Sequence, residues 1–310
     1  MSVASAHLFR FAQINDLHMP GPSLEAAVPD ARTRAQRARW LIDALRGEQS
    51  STGAGLPPLD LVLGVGDFVE GGDPEGLATE LDLFASLVAT LPIPFYPVLG
   101  NHDHEQGDAE TDLRFLNACG QSALSYSFEH HDIAFIMLDN RPLSSPQLQA
   151  ERTSWLQATM QHHGPKPKIL CCHRPLAPLR DQRSMDQAGV EGCPADVLDL
   201  LGVVDDHASS VLAVLSGHLH LTGFRCTRSI FHICVGGTVA YPCDFALYTV
   251  YADRIEVEMR QLPLGLLGDA VASGYSPEKL GADLVDGDHA TNIEFIMGTY
   301  DERRFVISIK

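Results

Sequence analysis

Short apolar runs rich in Val, Ile, Leu and Phe recur along this chain with helical patterns between them, and that alternation limits the fold more than any other feature. Strands of this length alternating with amphipathic helices read as an α/β layered domain. The runs predict strands over Leu8 to Ile14, Leu59 to Gly64, Phe95 to Leu99, Ile133 to Leu138, Lys168 to Cys172, Val211 to Leu215, Phe231 to Val235, Phe245 to Tyr251 and Ile255 to Arg260. Helices are expected over Arg34 to Arg46, where Ala38, Leu41, Ile42 and Leu45 fall at helical spacing, over Leu77 to Thr90, and over Ser145 to Gln161. In the last, Ser145 reads as an N-cap and Pro146 as a first-turn proline. Past Val211 the pattern is nearly all strand, so one sheet is not enough. Two packed mixed sheets with outer helices are expected, a four-layer α-β-β-α sandwich.

The Leu-, Gly- and Pro-containing stretch Gln261 to Asp269 follows the last of these strands and marks a boundary. It separates a main domain over residues 1–262 from a small C-terminal appendage over residues 263–310. In the appendage Ser276-Pro277-Glu278 opens a short helix, and Asn292 to Tyr300 with Arg303 to Ile309 reads as a hairpin turning at Asp301-Glu302. An isolated hairpin is marginal in water, so it has to pack on the core as a cap or on another copy of the chain in a homodimer.

Chemistry enters where the strands end. The first run leads into Asp16-Leu17-His18, the second into Gly66-Asp67, the third into Gly100-Asn101-His102-Asp103, the fifth into His173 and the sixth into Gly217-His218-Leu219-His220. Each piece alone is common, because turns favour glycine and acidic residues. Together, five segments deliver Asp, His or Asn from the carboxyl ends of strands, the edge where open α/β sheets place their ligands. His218 and His220, two apart on extended chain, point the same way and reach one centre. Mixed carboxylate and imidazole donors suit Mn, Fe, Co or Zn, whereas Ca or Mg prefers an all-oxygen shell. Seven ligands are too many for one such ion and fit two ions sharing a bridging carboxylate.

The order D-x-H, G-D, G-N-H-D, H, G-H-x-H resembles the calcineurin-like metallophosphoesterase superfamily, over Asp16 to His220 and with all five motifs in family order. Arg174-Pro175-Leu176 after His173, with Met185-Asp186 further on, resembles the branch that holds class III cyclic nucleotide phosphodiesterases and glycerophosphodiesterases. The resemblance implies that Asp16, His18 and His220 hold one metal, that Asn101, His173 and His218 hold the other, and that Asp67 bridges them. It implies that His102 is no ligand and faces the scissile phosphate as acid or oxyanion stabiliser, with Asp103 expected to orient it. Purple acid phosphatases of the superfamily carry a tyrosine ligand three residues after the bridging Asp. Here that position is Glu70, so a tyrosinate-bound ferric site is not expected.

The expected activity is hydrolysis of a small-molecule phosphodiester, of cyclic nucleotide or glycerophosphodiester type, by a hydroxide bridging two divalent cations. A phosphomonoesterase on the same centre is the alternative, and a non-catalytic metal-binding scaffold is a third reading. Lys+Arg is 22 against 40 Asp+Glu, a net charge of −18, which argues against a nucleic-acid polymer or an anionic membrane as partner. No window carries the ~18 uninterrupted apolar residues of a spanning helix, and Met1 to Ala12 lacks a basic stretch followed by an apolar run, so a cytoplasmic protein is expected. Seven cysteines without a CxxC pattern, Cys171 and Cys172 among them, read as free and mostly buried thiols. Arg32, Arg34, Arg37, Arg39 and Arg46 are expected on a solvated helix face, and the pairs His130-His131 and His162-His163 on the surface. Whether His104 lines the pocket is open.

Overall fold

The computed structural model describes residues 6–47, 55–71, 74–105, 109–190, 194–268 and 289–309. The chain runs through β1 (Phe9–Ile14), α1 (Pro22–Ala27), α2 (Pro29–Leu45), β2 (Leu61–Val65), α3 (Pro74–Val88), β3 (Phe95–Val98), α4 (Ala109–Cys119), β4 (Tyr126–His130), β5 (Ile133–Met137), α5 (Pro146–His162), β6 (Lys168–Cys171), α6 (Gln182–Ala188), α7 (Leu198–Asp206), β7 (Val211–Ser216), β8 (Gly223–Thr227), β9 (Ile230–Cys234), β10 (Asp244–Val250), β11 (Arg254–Gln261), α8 (Leu264–Leu267), α9 (Asn292–Met297), α10 (Tyr300–Arg303) and β12 (Arg304–Ser308). One sheet has the order β12-β11-β10-β1-β2-β3 and the other β4-β5-β6-β7-β9-β8. Both are mixed, with β1, β2 and β3 parallel in the first and β5, β6, β7 and β9 parallel in the second.

Side chains alternate across each strand, which sorts them into three apolar layers. Phe9, Phe11, Leu63, Phe135, Met137, Leu215 and Tyr248 fill the space between the sheets, where Phe11 stacks on Tyr248 with ring centres 4.3 Å apart. Ile14 and Val62 face outward against Leu41 and Ile42 of α2 and Leu81 and Phe84 of α3. Ile136, Leu170 and Val214 face outward against Leu156 and Met160 of α5 and Leu200 and Val204 of α7. The expected four-layer sandwich is therefore the observed one. Strands buried on both faces read as unbroken apolar runs, which made the central ones legible. The strands without that signal, β4, β8 and β12, lie at sheet edges and carry polar residues.

The C-terminal hairpin does not form. Thr291 caps α9 by accepting from the Glu294 amide, and Thr299 with Glu302 makes a reciprocal capping box on α10. Two Thr-x-x-Glu runs thus start helices where the apolar residues alone read as strand. Arg304–Ser308 then pairs antiparallel with β11, so the segment packs on the core as an edge of the first sheet. The Ser276-Pro277-Glu278 helix lies outside the described residues.

Two surface expectations are overturned. Arg37 is fully buried and donates to the carbonyls of Leu266, Leu267 and Val239, fastening α8 and the loop after Gly237 to α2. Arg34 is buried too, paired with Asp30 and Glu70. His163 is buried against Ser127 and Glu129, whereas His131 is exposed. Among the described residues six cysteines are free, four of them buried, and no helix is long and apolar enough to cross a membrane.

His232, on β9, is buried, and neither ring nitrogen has a hydrogen-bond partner among the described residues. Burial pushes its pKa down to about 4. The folded protein keeps the ring neutral, while the unfolded chain takes up a proton near pH ~6.5, so this site's stability is intact above that pH and falls as acid carries the solution toward 4. We expect His232→Leu to remove on the order of 3 kcal/mol of acid-induced destabilisation. Denaturant melts of both proteins between these pH values check it; parallel pH profiles would refute it.

Candidate metal centre

All five strand-end motifs meet at one edge of the sandwich. The loops after β1 and β2 zip together, with the amides of Asp16, Leu17 and Met19 donating to the carbonyls of Gly66, Asp67 and Phe68 at 2.9, 2.8 and 3.0 Å. The glycines of the motifs are required by close approach. A Cβ on Gly66, at φ +83°, would strike the His173 ring, and one on Gly100 would strike the Asp67 carboxylate. Asp16, His18, Asp67, His218 and His220 all carry positive φ, between 43° and 69°. L-residues held there cost about 1–3 kcal/mol each, so strain concentrates at this edge.

The side chains form two groups around Asp67. Asp16, His18 and His220 present ligand atoms within 4.8 Å of one another, and so do Asp67, His173 and His218. Asp67 Oδ2 stands between the groups, 3.5 Å from His18 Nε2 and 3.0 Å from His173 Nε2. Asn101 Oδ1 lies 3.1 Å from the same His173 nitrogen, and His220 Nε2 is 3.2 Å from Asp16 Oδ1. His102 also brings a ring nitrogen within 4.8 Å of ligand atoms of His18 and Asp67.

Tautomers make this arrangement informative. His173 Nδ1 donates to the Val65 carbonyl at 2.9 Å, which in the neutral ring leaves a lone pair on Nε2 aimed at two acceptor oxygens. His18 Nε2 is buried with no hydrogen-bond partner among the described residues. Acceptors facing acceptors in a buried place need positive charge between them, from a proton on a ring or from a cation, and this donor set fits a divalent transition ion. The titration behaviour has the same cause. Burial would raise the Asp16 carboxyl, but the facing rings of His18 and His220 hold it well below the usual range. Burial would lower His18 and His173, but the carboxylates around them push them up to about 10 and about 9.

The expected role of Asp103 is corrected. Its buried carboxylate accepts from the amides of Asp67, Phe68, Val69 and Gly100, clamping the loops after β2 and β3, and burial beside Asp67 raises its pKa to about 6. It is the Glu70 carbonyl, 2.6 Å from His102 Nδ1, that orients the His102 ring. His104 is half-buried, and burial lowers its pKa. Three supports had no signal in the sequence. Asn15 donates to Asp16 Oδ2 and to Val235, Glu80 on α3 accepts from the amides of Gly21 and Gly71, and Asn140 pairs with the main chain of Arg174. Gln13 and Tyr248 extend the first into the core, since Tyr248 donates to Gln13, which donates to Asn15.

A family profile described as calcineurin-like phosphoesterase matches residues 9–221, well over half of the chain. The chain belongs to the calcineurin-like phosphoesterases. A probable glycerophosphodiester phosphodiesterase, GpdQ, of Arcobacter nitrofigilis is 30% identical to this chain over 188 residues, or 60% of the chain. The match spans 64% of that protein, just under two thirds of its length. Among solved structures, Plasmodium GAP50, titled the anchor in the inner membrane complex, superposes with a TM-score of 0.57 at 14% identity, covering 83% of this chain and 85% of that one. That likeness concerns the fold.

In the metal-free protein His18 and His173 keep their protons through neutral pH, because both pKa values are raised. A cation must displace them, so affinity rises with pH across the neutral range. Loading with Mn²⁺ at about pH 7.5 is expected to release roughly two protons, one from each ring. Calorimetric titration in buffers of different ionisation enthalpy measures this, and a heat independent of buffer would contradict it.

Proposed function

We propose that this chain is a dinuclear metal-dependent phosphodiesterase acting on a small molecule. One observation carries the reading: a single carboxylate oxygen, Asp67 Oδ2, faces imidazole nitrogens of both ligand groups. Asp16, His18 and His220 would hold one divalent ion, and Asn101, His173 and His218 the other, with Asp67 common to both. When bound, such ions offer Lewis acidity to phosphate oxygens and lower the pKa of water. The diester preference is supported by the GpdQ relative, named a probable glycerophosphodiester phosphodiesterase.

The chain's own groups set the rest. The amide of His102 donates to Asp67 Oδ1 at 2.8 Å, which ties the backbone of the proton donor to the shared carboxylate. Its Nδ1 donates to the Glu70 carbonyl, so Nε2 is the atom left to face the leaving oxygen, and it delivers a proton there from the doubly protonated ring, which carries a hydrogen on both nitrogens. The ligand floor is dry, with Asp16, His18, Asp67 and His173 all buried, while Asn101 at the rim is exposed.

We expect His102→Ala to keep its metal and lose about 10²- to 10⁴-fold in kcat, the usual weight of a general acid. Asp67→Ala should lose metal as well. Elemental analysis with steady-state kinetics separates the two; loss of metal from His102→Ala would make His102 a ligand. Substrate class is tested with the manganese-loaded protein on bis(p-nitrophenyl) phosphate, p-nitrophenyl phosphate and 2′,3′- and 3′,5′-cyclic nucleotides. Preference for the monoester would reject the diesterase assignment.

A further inference from the structure

Glu70 reads two imidazoles at once. Its main-chain carbonyl accepts from His102 Nδ1, and its carboxylate lies 3.5 Å from His18 Nδ1. The carboxylate is in turn held by Arg34, which also pairs through Nε with Asp30 one helical turn earlier, at 3.1 Å. A chain Asp30–Arg34–Glu70–His18 therefore runs from α2 to the floor of the site.

We propose that Glu70 is the positioning residue of His18, fixing its ring with the proton on Nδ1 and the lone pair on Nε2 toward the cation shared with Asp16 and His220. The proposal rests on reading this cluster as a metal centre. A neutral imidazole has one proton to place. The Glu70 carboxylate is an acceptor and calls for a donor on the Nδ1 side, while Nε2 is buried against Asp16 and Asp67, which have none to offer. Both demands are met by one tautomer. The ring has little freedom to choose another orientation, because His102 and His220 pack edge-on against it with centroids 4.4 and 5.3 Å away. Arg34 engages the same Glu70 oxygen, Oε2, that faces His18, so a group three residues after the shared Asp supports a ligand without becoming one.

Carboxylates that orient a ligating histidine typically change metal affinity by 10–100-fold when removed. The test is Mn²⁺ binding, read for each ion by calorimetry and electron paramagnetic resonance, on wild type, Glu70→Ala, Glu70→Gln and Arg34→Leu. We expect Glu70→Ala to weaken one of the two ions by 10–100-fold and leave the other unchanged, with a smaller loss in Glu70→Gln, whose amide oxygen still accepts, and in Arg34→Leu. Wild-type affinities in all variants, or equal weakening of both ions, would overturn the proposal. A measurement independent of the variants is the nitrogen–proton correlation spectrum of zinc-loaded wild type. His18 protonated on Nδ1 supports the assignment, and protonation on Nε2 ends it. If wild type binds no divalent ion, the metal-centre reading falls as well; if it binds two and the variants match it, only the role of Glu70 falls.

Discussion

Around Asp67, oxygen and nitrogen lone pairs are turned toward one another inside a dry edge of the sandwich. Asp67 Oδ2, Asn101 Oδ1 and the Nε2 atoms of His18 and His173 share a space a few ångströms across. Such a gathering opposes folding unless positive charge stands within it, because the buried members, Asp67, His18 and His173, have given up water. In the metal-free chain protons on the two rings supply that charge, and divalent cations would supply it more strongly. Most other features of this edge serve to hold the groups in place against their mutual preference to separate.

The holding acts on the main chain, gripped by neighbouring loops and by buried side chains. Five of the clustered residues sit at positive φ. Together they store roughly 5–15 kcal/mol, comparable with the whole net stability of a domain, so they persist only where the surroundings over-determine them. The paired loops after β1 and β2 contribute one layer of that restraint, and the four amides gathered by Asp103 another. Below them the amides of Thr238 and Val239 donate to the Asp16 carbonyl, and Arg37 locks the carbonyls of the same two residues to α2. On the far side Arg180, fully buried, joins the Thr222 carbonyl just past His220 to Phe295 and Glu302 of the C-terminal segment. The appendage thus braces the loop that carries His218 and His220.

Val211–Ser216 and Ile133–Met137, buried on both faces, were readable as strands because nothing polar interrupts them. Gly223–Thr227, with an exposed arginine at an edge, gave no such signal, and Asn292–Met297 looked like strand until the Thr291 cap is considered. Arg37 and His163 resembled surface residues because side-chain chemistry alone does not reveal which carbonyls or hydroxyls a fold will bring to them.

By itself the sequence determined the layered α/β class and the identity of the residues that end the strands, because apolar periodicity and donor type are properties of local chain. It also carried the family, through motifs whose order survives any folding. Only the tertiary structure decided how those residues share the site. That Asp103 clamps amides and leaves His102 to the Glu70 carbonyl, that Glu70 faces His18 with Arg34 behind it, and that the last strand joins the first sheet all depend on contacts between residues tens of positions apart. Hydrogen-bond partnership at that range is set by where loops cross in space, and no local pattern encodes it.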